Sequence, residues 1–304
     1  MTTAPGLTLM TVHAHPDDET FGTGGTMARA VAEGHRVVLV TCTRGELGEI
    51  VVPELDTPSN RRRLGEIRAG ELEDALGELG VSEWDSLGYR DSGMMDTPGN
   101  RDPRSFWQAD LDEAIGRLTF LIRRERPEVM TTYNEYGGYG HPDHIRTHLV
   151  AIGAWERAGD PASYPEQLGG DDGLEPWTPS KLYEQAIPVS VRQAMAAALE
   201  EIGHRSWWAA PDDATPEERA DWDERVARML VPDETITTWI DVSEHLEKKW
   251  RAICRHVTQI GPDNPALAMG LDGWRRYWTR EAFILRAARI ATQLPETDLF
   301  AGLG

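Results

Sequence analysis

Two cysteines, three lysines and no extended apolar run are what this 304-residue sequence has least of. Cys42 and Cys254 form neither a disulfide framework nor a CxxC pair, which suits a reducing compartment and predicts a cytoplasmic protein. No stretch approaches the about 18 apolar residues of a membrane-crossing helix. The N-terminus also lacks the basic and continuous apolar regions of a secretory signal, so a soluble chain is expected. Cations are outnumbered, 31 Lys and Arg against 51 Asp and Glu, for a formal net charge of −20. That balance excludes the clustered cations of nucleic-acid binding and weighs against an anionic membrane surface. What remains is a small-molecule partner. The lysines are Lys181, Lys248 and Lys249; the other basic residues counted there are all arginine.

The first 160 residues alternate apolar, β-branched runs with helical periodicity. Leu7–Val12, Arg36–Thr43, Trp84–Leu87 and Val129–Tyr133 read as strands. Between them, Thr26–Glu33, a long segment to Leu79 capped by Ser59 or Asn60, and Phe106–Arg124 read as helices, and a fourth follows to Ala158. This predicts an α/β, Rossmann-like, doubly wound and mainly parallel sheet over 1–160. A C-terminal α/β elaboration over 161–304 is expected to pack on the same core as one domain. It has strands at Lys181–Ile187 and Thr235–Val242 and helices at Val189–Ile202, Glu217–Met229 and Ser243–Ile260.

Polar residues gather where the first-half strands end, the place such sheets put their sites. After the first strand comes HAHPDDE, and after the fourth NEYGGYGHPDH. His15 and Asp18, with His144 from the second loop, make a His–Asp–His set that leaves a hydrolytic metal site one open position. Asp17 is placed to take a proton from water, and His141 to donate to a leaving amine or steady an oxyanion. Asp143 is expected to hold His141 in its useful tautomer, and Tyr139 to donate to the oxyanion. The plainer alternatives are a solvated His-Pro-Asp-Asp turn and an exposed helix start at His141–His144. Both would have to hold at once. Gly22–Gly25 lacks the dinucleotide-binding spacing, and Ser92 lies outside a G-x-S-x-G frame. Cys42 reads as inert packing. Trp207 and Trp208 read as core ahead of a ligand-facing patch. His35 and His204 read as surface, and His13 as packed behind the site or as a support bonded to its ligands.

AHPDDE (Ala14–Glu19), TCTRGELGE (Thr41–Glu49) and GGYGHPDH (Gly137–His144), in that order, resemble the LmbE-like (PIG-L) zinc N-deacetylases. EIRAGEL (Glu66–Leu72), RDSGM (Arg90–Met94), EPWTPSKLY (Glu175–Tyr183) and PETDLFAGL (Pro295–Leu303) extend the likeness to the mycothiol-pathway branch, over nearly the whole chain. The resemblance implies a metal-dependent amidase with one divalent ion, Zn2+ or else Fe2+, on His15, Asp18 and His144. It further implies Asp17 as general base, His141 as its acidic or stabilising partner and Tyr139 near the oxyanion. Arg68, Asp91 and Glu46 then become contacts to a sugar or inositol ring. Arg68 has no fixed partner in the sequence other than Glu66 or Glu71 on its own helix. Within the branch, GEIVVPELDTP (Gly48–Pro58) and PWTPSKLY favour the mycothiol S-conjugate amidase, although Phe21-Gly22 stands where that enzyme carries a lysine. N-acetylglucosaminyl-inositol deacetylase, or another amino-sugar N-deacetylase, is the alternative. A catalytically silent metal-binding scaffold is the non-enzyme reading.

Overall fold

The computed structural model describes residues 6–169, 173–206 and 208–303. Its first half follows the expected alternation. Strand β1 (Thr8–His13) leads through a short helix α1 (Asp18–Gly22) and α2 (Gly24–Ala32) to β2 (Arg36–Thr43). Helices α3 (Pro58–Arg62) and α4 (Leu64–Leu79) precede β3 (Glu83–Tyr89), and α5 (Leu111–Glu125) precedes β4 (Val129–Thr132). Then come α6 (Gly137–Gly140), α7 (Pro142–Arg157) and β5 (Lys181–Pro188). The second half adds α8 (Val189–Glu201), α9 (Pro216–Met229), β6 (Leu230–Val231), β7 (Thr238–Asp241), α10 (Leu246–Ile253), α11 (Pro265–Ala268), α12 (Gly270–Tyr277) and β8 (Arg280–Ala288).

One sheet runs β3-β2-β1-β4-β5-β8-β7, with β6 paired to β5. The neighbours from β3 to β5 are parallel, while β8 runs antiparallel to both β5 and β7. The architecture is therefore α/β with a mainly parallel sheet, and strands from both halves of the chain share it. Alternate residues of each strand face opposite layers, as the period of two requires. Leu9, Val37 and Leu39 pack with Leu72, Leu76 and Ile253 on one face. Met10, Val12, Val38, Val40 and Cys42 pack with Ile115, Leu118 and Val150 on the other.

Several boundaries differ from the expectation for local reasons. Thr57, two positions before the nearer of the expected caps, accepts from the amide of Asn60, and the helix there breaks at Arg63 before α4 starts. Phe106–Gln108 is a separate 3₁₀ turn; α5 begins later because Asp110 caps it through the amide of Glu113 (2.9 Å). The helix expected to reach Ile260 stops at Ile253. Strand β8 carries no regular polar alternation in REAFILRAA, so periodicity does not predict it. His35 is half-buried, with its ring stacked 3.9 Å from that of Phe300. Trp207 lies outside the described residues, while Trp208 packs with Met195 and Val226.

The strand order fixes the place of the site. From β1 the chain moves to β2 and β3 on one side and returns to β4 on the other, so the order reverses between β1 and β4. A sheet opens a crevice at the carboxyl ends of two such strands. Both polar loops leave from there.

Candidate metal centre

The two loops are tied before any ligand is considered. The hydroxyl of Tyr133, just past β4, accepts from the amide of Ala14 (3.0 Å), and its ring stacks on His144 at 4.2 Å. Behind them His13 is fully buried, bonding Thr23 Oγ1 through Nε2 (2.9 Å) and the Tyr133 hydroxyl through Nδ1 (3.3 Å).

Asp18 sits between two imidazoles. Its Oδ2 lies 3.4 Å from His15 Nδ1, and its Oδ1 lies 3.4 Å from His144 Nε2. Donor atoms held about 2.0–2.1 Å from one ion in a tetrahedral array stand about 3.3–3.4 Å apart. Each observed separation matches that edge, one through each carboxylate oxygen of Asp18. The other side of His15 is committed: Nε2 faces Asp143 Oδ2 at 3.1 Å and Asp91 Oδ1 at 3.7 Å. An imidazole that donates from Nε2 to a carboxylate presents Nδ1 as a lone pair, the usual support for a metal-bound histidine. Burial opposes charge on His15, yet Asp91, Asp143 and Asp18 outweigh it and hold its pKa well above the ordinary histidine value. Burial likewise opposes charge on Asp18, but His144, His15 and His13 hold that carboxyl well below its usual range. The donor set therefore fits a divalent cation. His141 stands close by: ligating atoms of His15, His141 and His144 all lie within 4.8 Å of one another, as do those of His15, Asp91, His141 and Asp143.

The loop after β4 explains the second histidine pair. Gly137, Gly138 and Gly140 all have positive φ, and a Cβ on Gly137 would stand 2.6 Å from the amide nitrogen of Ile145. Glycine alone allows that close turn. It delivers Tyr139, a residue 40% exposed at the mouth of the site, with its hydroxyl turned inward 3.3 Å from His144 Nε2. Burial pushes the phenol pKa up, so Tyr139 stays a donor.

Asp143 behaves differently from the expectation. Its carboxylate bonds not His141 but His15 Nε2, the amide of Ser92 (3.0 Å) and the Ser92 hydroxyl. The tautomer of His141 is set instead by the backbone amide of Asp143, which donates to His141 Nδ1 (3.1 Å). His141 thus keeps its proton on Nε2. Burial, then the neighbouring His15 and His144, lower its pKa to about 3.

Asp17 follows with φ 113°, its Oδ1 3.2 Å from Arg68 Nη2. Burial raises its pKa to about 6, against the pull of Arg68. Arg68 is itself 3% exposed, and donates to the carbonyls of Gly45 (2.9 Å) and Pro16. The solvent-facing pairing with Glu66 or Glu71 does not occur. Asp91 accepts from the amides of Leu47 (3.0 Å) and Gly93 (2.7 Å), and its own amide donates to Glu46 Oε2 (3.0 Å). These three residues knit the loops after β2 and β3 to the rim. Cys42 is buried, with its thiol pushed up to about 12 by burial.

Sequence reasoning missed Ser92, which serves as a double donor to Asp143, and Tyr133, the strap between loops. It also missed Glu19, whose carboxylate folds inward to bond the amide of Asp17 (2.8 Å) and the ring of His256 (2.8 Å). A buried acid inside a polar motif has no periodicity to betray it.

Comparison with known proteins sets this geometry in context. Residues 10–155 match the family description "PIG-L: GlcNAc-PI de-N-acetylase". A protein of Geodermatophilus obscurus named 1D-myo-inositol 2-acetamido-2-deoxy-alpha-D-glucopyranoside deacetylase is 44% identical, over 98% of this chain and 99% of that one. A Streptomyces avermitilis protein of the same name is 42% identical over 98% of each. Among solved structures, the N,N'-diacetylchitobiose deacetylase of Pyrococcus horikoshii superposes with a TM-score of 0.60 at 20% identity, covering 91% of this chain and 83% of that one, a likeness of fold.

Proposed function

The chain belongs to the PIG-L family, hydrolases of non-peptide carbon–nitrogen bonds, and from that premise we propose that it removes the acetyl group from an N-acetylglucosaminyl-inositol. The observation that carries the reading is Asp18 held 3.4 Å from both His15 and His144, with Asp17 beside it. His15, Asp18 and His144 would hold one divalent ion, Zn2+ by preference, though the same nitrogen and oxygen donors accept Fe2+. Such an ion supplies Lewis acidity to the amide carbonyl and lowers the pKa of water.

The chain's own residues do the rest. Asp17, with a raised pKa and an arginine that keeps it ionisable, takes the proton of the attacking water. His141, neutral and protonated on Nε2, and Tyr139, a phenol that does not ionise, donate to the oxygen that gains charge. Asp143 steadies His15 in the orientation that leaves Nδ1 free. Arg68 and Asp91, each 3% exposed, brace from behind the wall on which the sugar hydroxyls would rest, with Glu46 in that wall, and a neutral polyol partner is in keeping with the acidic surface.

The sequence segments alone favour the S-conjugate amidase; the names of the relatives move the proposal to the deacetylase. The amidase stays as a second reading because of one observation. Leu47 and Met94, 41% and 49% exposed, stand beside Asp91 and Gly93 as an apolar rim that a thiol substituent could use. Metal-loaded protein assayed on both substrates tests the choice. A kcat/KM about tenfold or more higher on the acetylated pseudodisaccharide supports deacetylation, and the reverse ratio assigns the amidase. Turnover of neither overturns both.

A further inference from the structure

The backbone of Asp17 occupies a region that residues with a Cβ rarely adopt, φ 113° and ψ −31°. It is pinned from both sides. Its carbonyl accepts from the amide (3.1 Å) and hydroxyl (2.8 Å) of Thr20. Its amide donates to Glu19 Oε2 at 2.8 Å. Glu19 is fully buried, and a carboxylate there needs more than one backbone donor to stay in place. The second donor comes from 237 residues away: His256 Nε2 lies 2.8 Å from Glu19 Oε1. His256 is also fully buried, and its Nδ1 reaches no partner among the described residues, so Glu19 is the ring's polar anchor.

The segment bearing His256 is itself fastened. It turns back after α10, with the amide of Ile260 donating to the carbonyl of His256 (2.8 Å). Thr258 then bonds the carboxylate of Glu71 through both its amide and its hydroxyl, at 2.7 Å each. Glu71 lies on α4, one turn from Arg68, which holds the Asp17 carboxylate. The strained residue is therefore gripped twice, at its side chain from α4 and at its backbone from the turn after α10, and the two grips are tied to each other.

We propose that His256 is a positioning residue for hydrolysis: acting through Glu19, it fixes the Asp17 backbone so that the carboxylate faces the reacting water. This rests on the reading of Asp17 as the base. A merely structural pair would affect folding or stability but leave the geometry at Asp17 and the turnover per folded molecule unchanged.

The test compares His256→Gln, whose amide can still reach Glu19, with His256→Asn, which is too short. In the metal-loaded full chain, His256→Asn lowers kcat about tenfold or more, with KM within about twofold and metal content unchanged, while His256→Gln stays within about threefold of wild type. In the metal-free protein, the Asp17 amide exchanges with solvent about tenfold faster in His256→Asn than in wild type, read by nuclear magnetic resonance. Wild-type kcat and wild-type Asp17 exchange in His256→Asn overturn the proposal, as does an equal loss of kcat in both variants. Rapid exchange of the Asp17 amide in the wild type overturns it with no variant at all, which covers a variant that does not fold. Asp17→Asn separates the two readings: wild-type kcat in that variant sinks the base assignment, while the exchange data still judge the link from His256 to Asp17.

Discussion

The guanidinium of Arg68 lies 3.2 Å from the carboxylate of Asp17 and also donates to the carbonyls of Gly45 and Pro16. One side chain on α4 thus closes the loops after β1 and β2 over the site. The bonds are buried, so they are not weakened as an exposed pair would be.

Removing Arg68 should therefore cost stability as well as activity. Arg68→Met leaves two carbonyls without donors and a carboxylate without its counter-charge, a loss of about 3–5 kcal/mol, or roughly 6–10 °C in Tm. Arg68 also pulls the Asp17 pKa down, so its removal moves the Asp17 titration above the value of about 6 found with Arg68 present. Calorimetry and carboxyl-carbon resonance spectra of the metal-free protein measure both. An unchanged Tm would return Arg68 to the role the sequence suggests, a free contact for substrate hydroxyls.

Asp17 should be a liability to the metal-free fold. Its pKa is raised from 3.8 to about 6, chiefly by burial. A group raised in the folded state contributes stability below its unfolded pKa and loses it as pH rises through the folded one. Asp17→Asn removes that titration while keeping the size. Metal-free Asp17→Asn should then melt above wild type at pH 7, with the advantage falling away between pH 6 and about 4. Denaturant melts across that range check it, and a constant difference at all pH values would refute the shift.

The sequence made the sheet and the two loops legible for specific reasons. Arg36–Thr43 is nearly continuous β-branched and apolar residues, and its observed limits agree with the reading. The histidines and aspartates at the ends of β1 and β4 stood out because polar clusters after core strands are hard to explain otherwise. The supports did not stand out. Lys181 and Lys249, two of only three lysines, are fully buried against Glu296 (2.6 Å) and Glu281 (2.7 Å), partners more than thirty residues distant. Single charges carry no period, so nothing along the chain pairs them. The partners of Arg68 and Glu19 go unread for the same reason, and β8 because its burial comes from β5 and β7 on either side.

Glu281 deserves a test of its own, since both its oxygens meet the start of α2, at the amides of Gly25 (2.9 Å) and Thr26 (2.8 Å). Lys249 neutralises it and also donates to the carbonyl of Phe21 (2.9 Å). Lys249→Met should destabilise by about 3–5 kcal/mol, because it strands a buried charge. Adding Glu281→Gln, which keeps an acceptor without the charge, should recover a large part of that loss. Urea melts of the two single variants and the double variant read the coupling, and simple additivity would mean the pair does not act as a unit.

The ligand set can be decided between two histidines that both stand close to His15. His141 and His144 both bring a nitrogen within 4.8 Å of His15, so geometry alone admits either as the third ligand. Their surroundings differ. His144 Nε2 faces Asp18 Oδ1 at 3.4 Å, whereas His141 has its Nδ1 occupied by the amide of Asp143 and its Nε2 protonated. A protonated nitrogen is a donor and no ligand, which favours His144. His144→Ala should therefore purify with less than about a tenth of the wild-type metal, while His141→Ala retains near-stoichiometric metal and loses about 10²–10⁴-fold in kcat, the scale of a lost proton donor. Elemental analysis after identical dialysis gives the first number and steady-state kinetics the second. Full metal in His144→Ala with an empty His141→Ala would exchange the two roles, and the pocket would then have to present its oxyanion donor from the other side of His15.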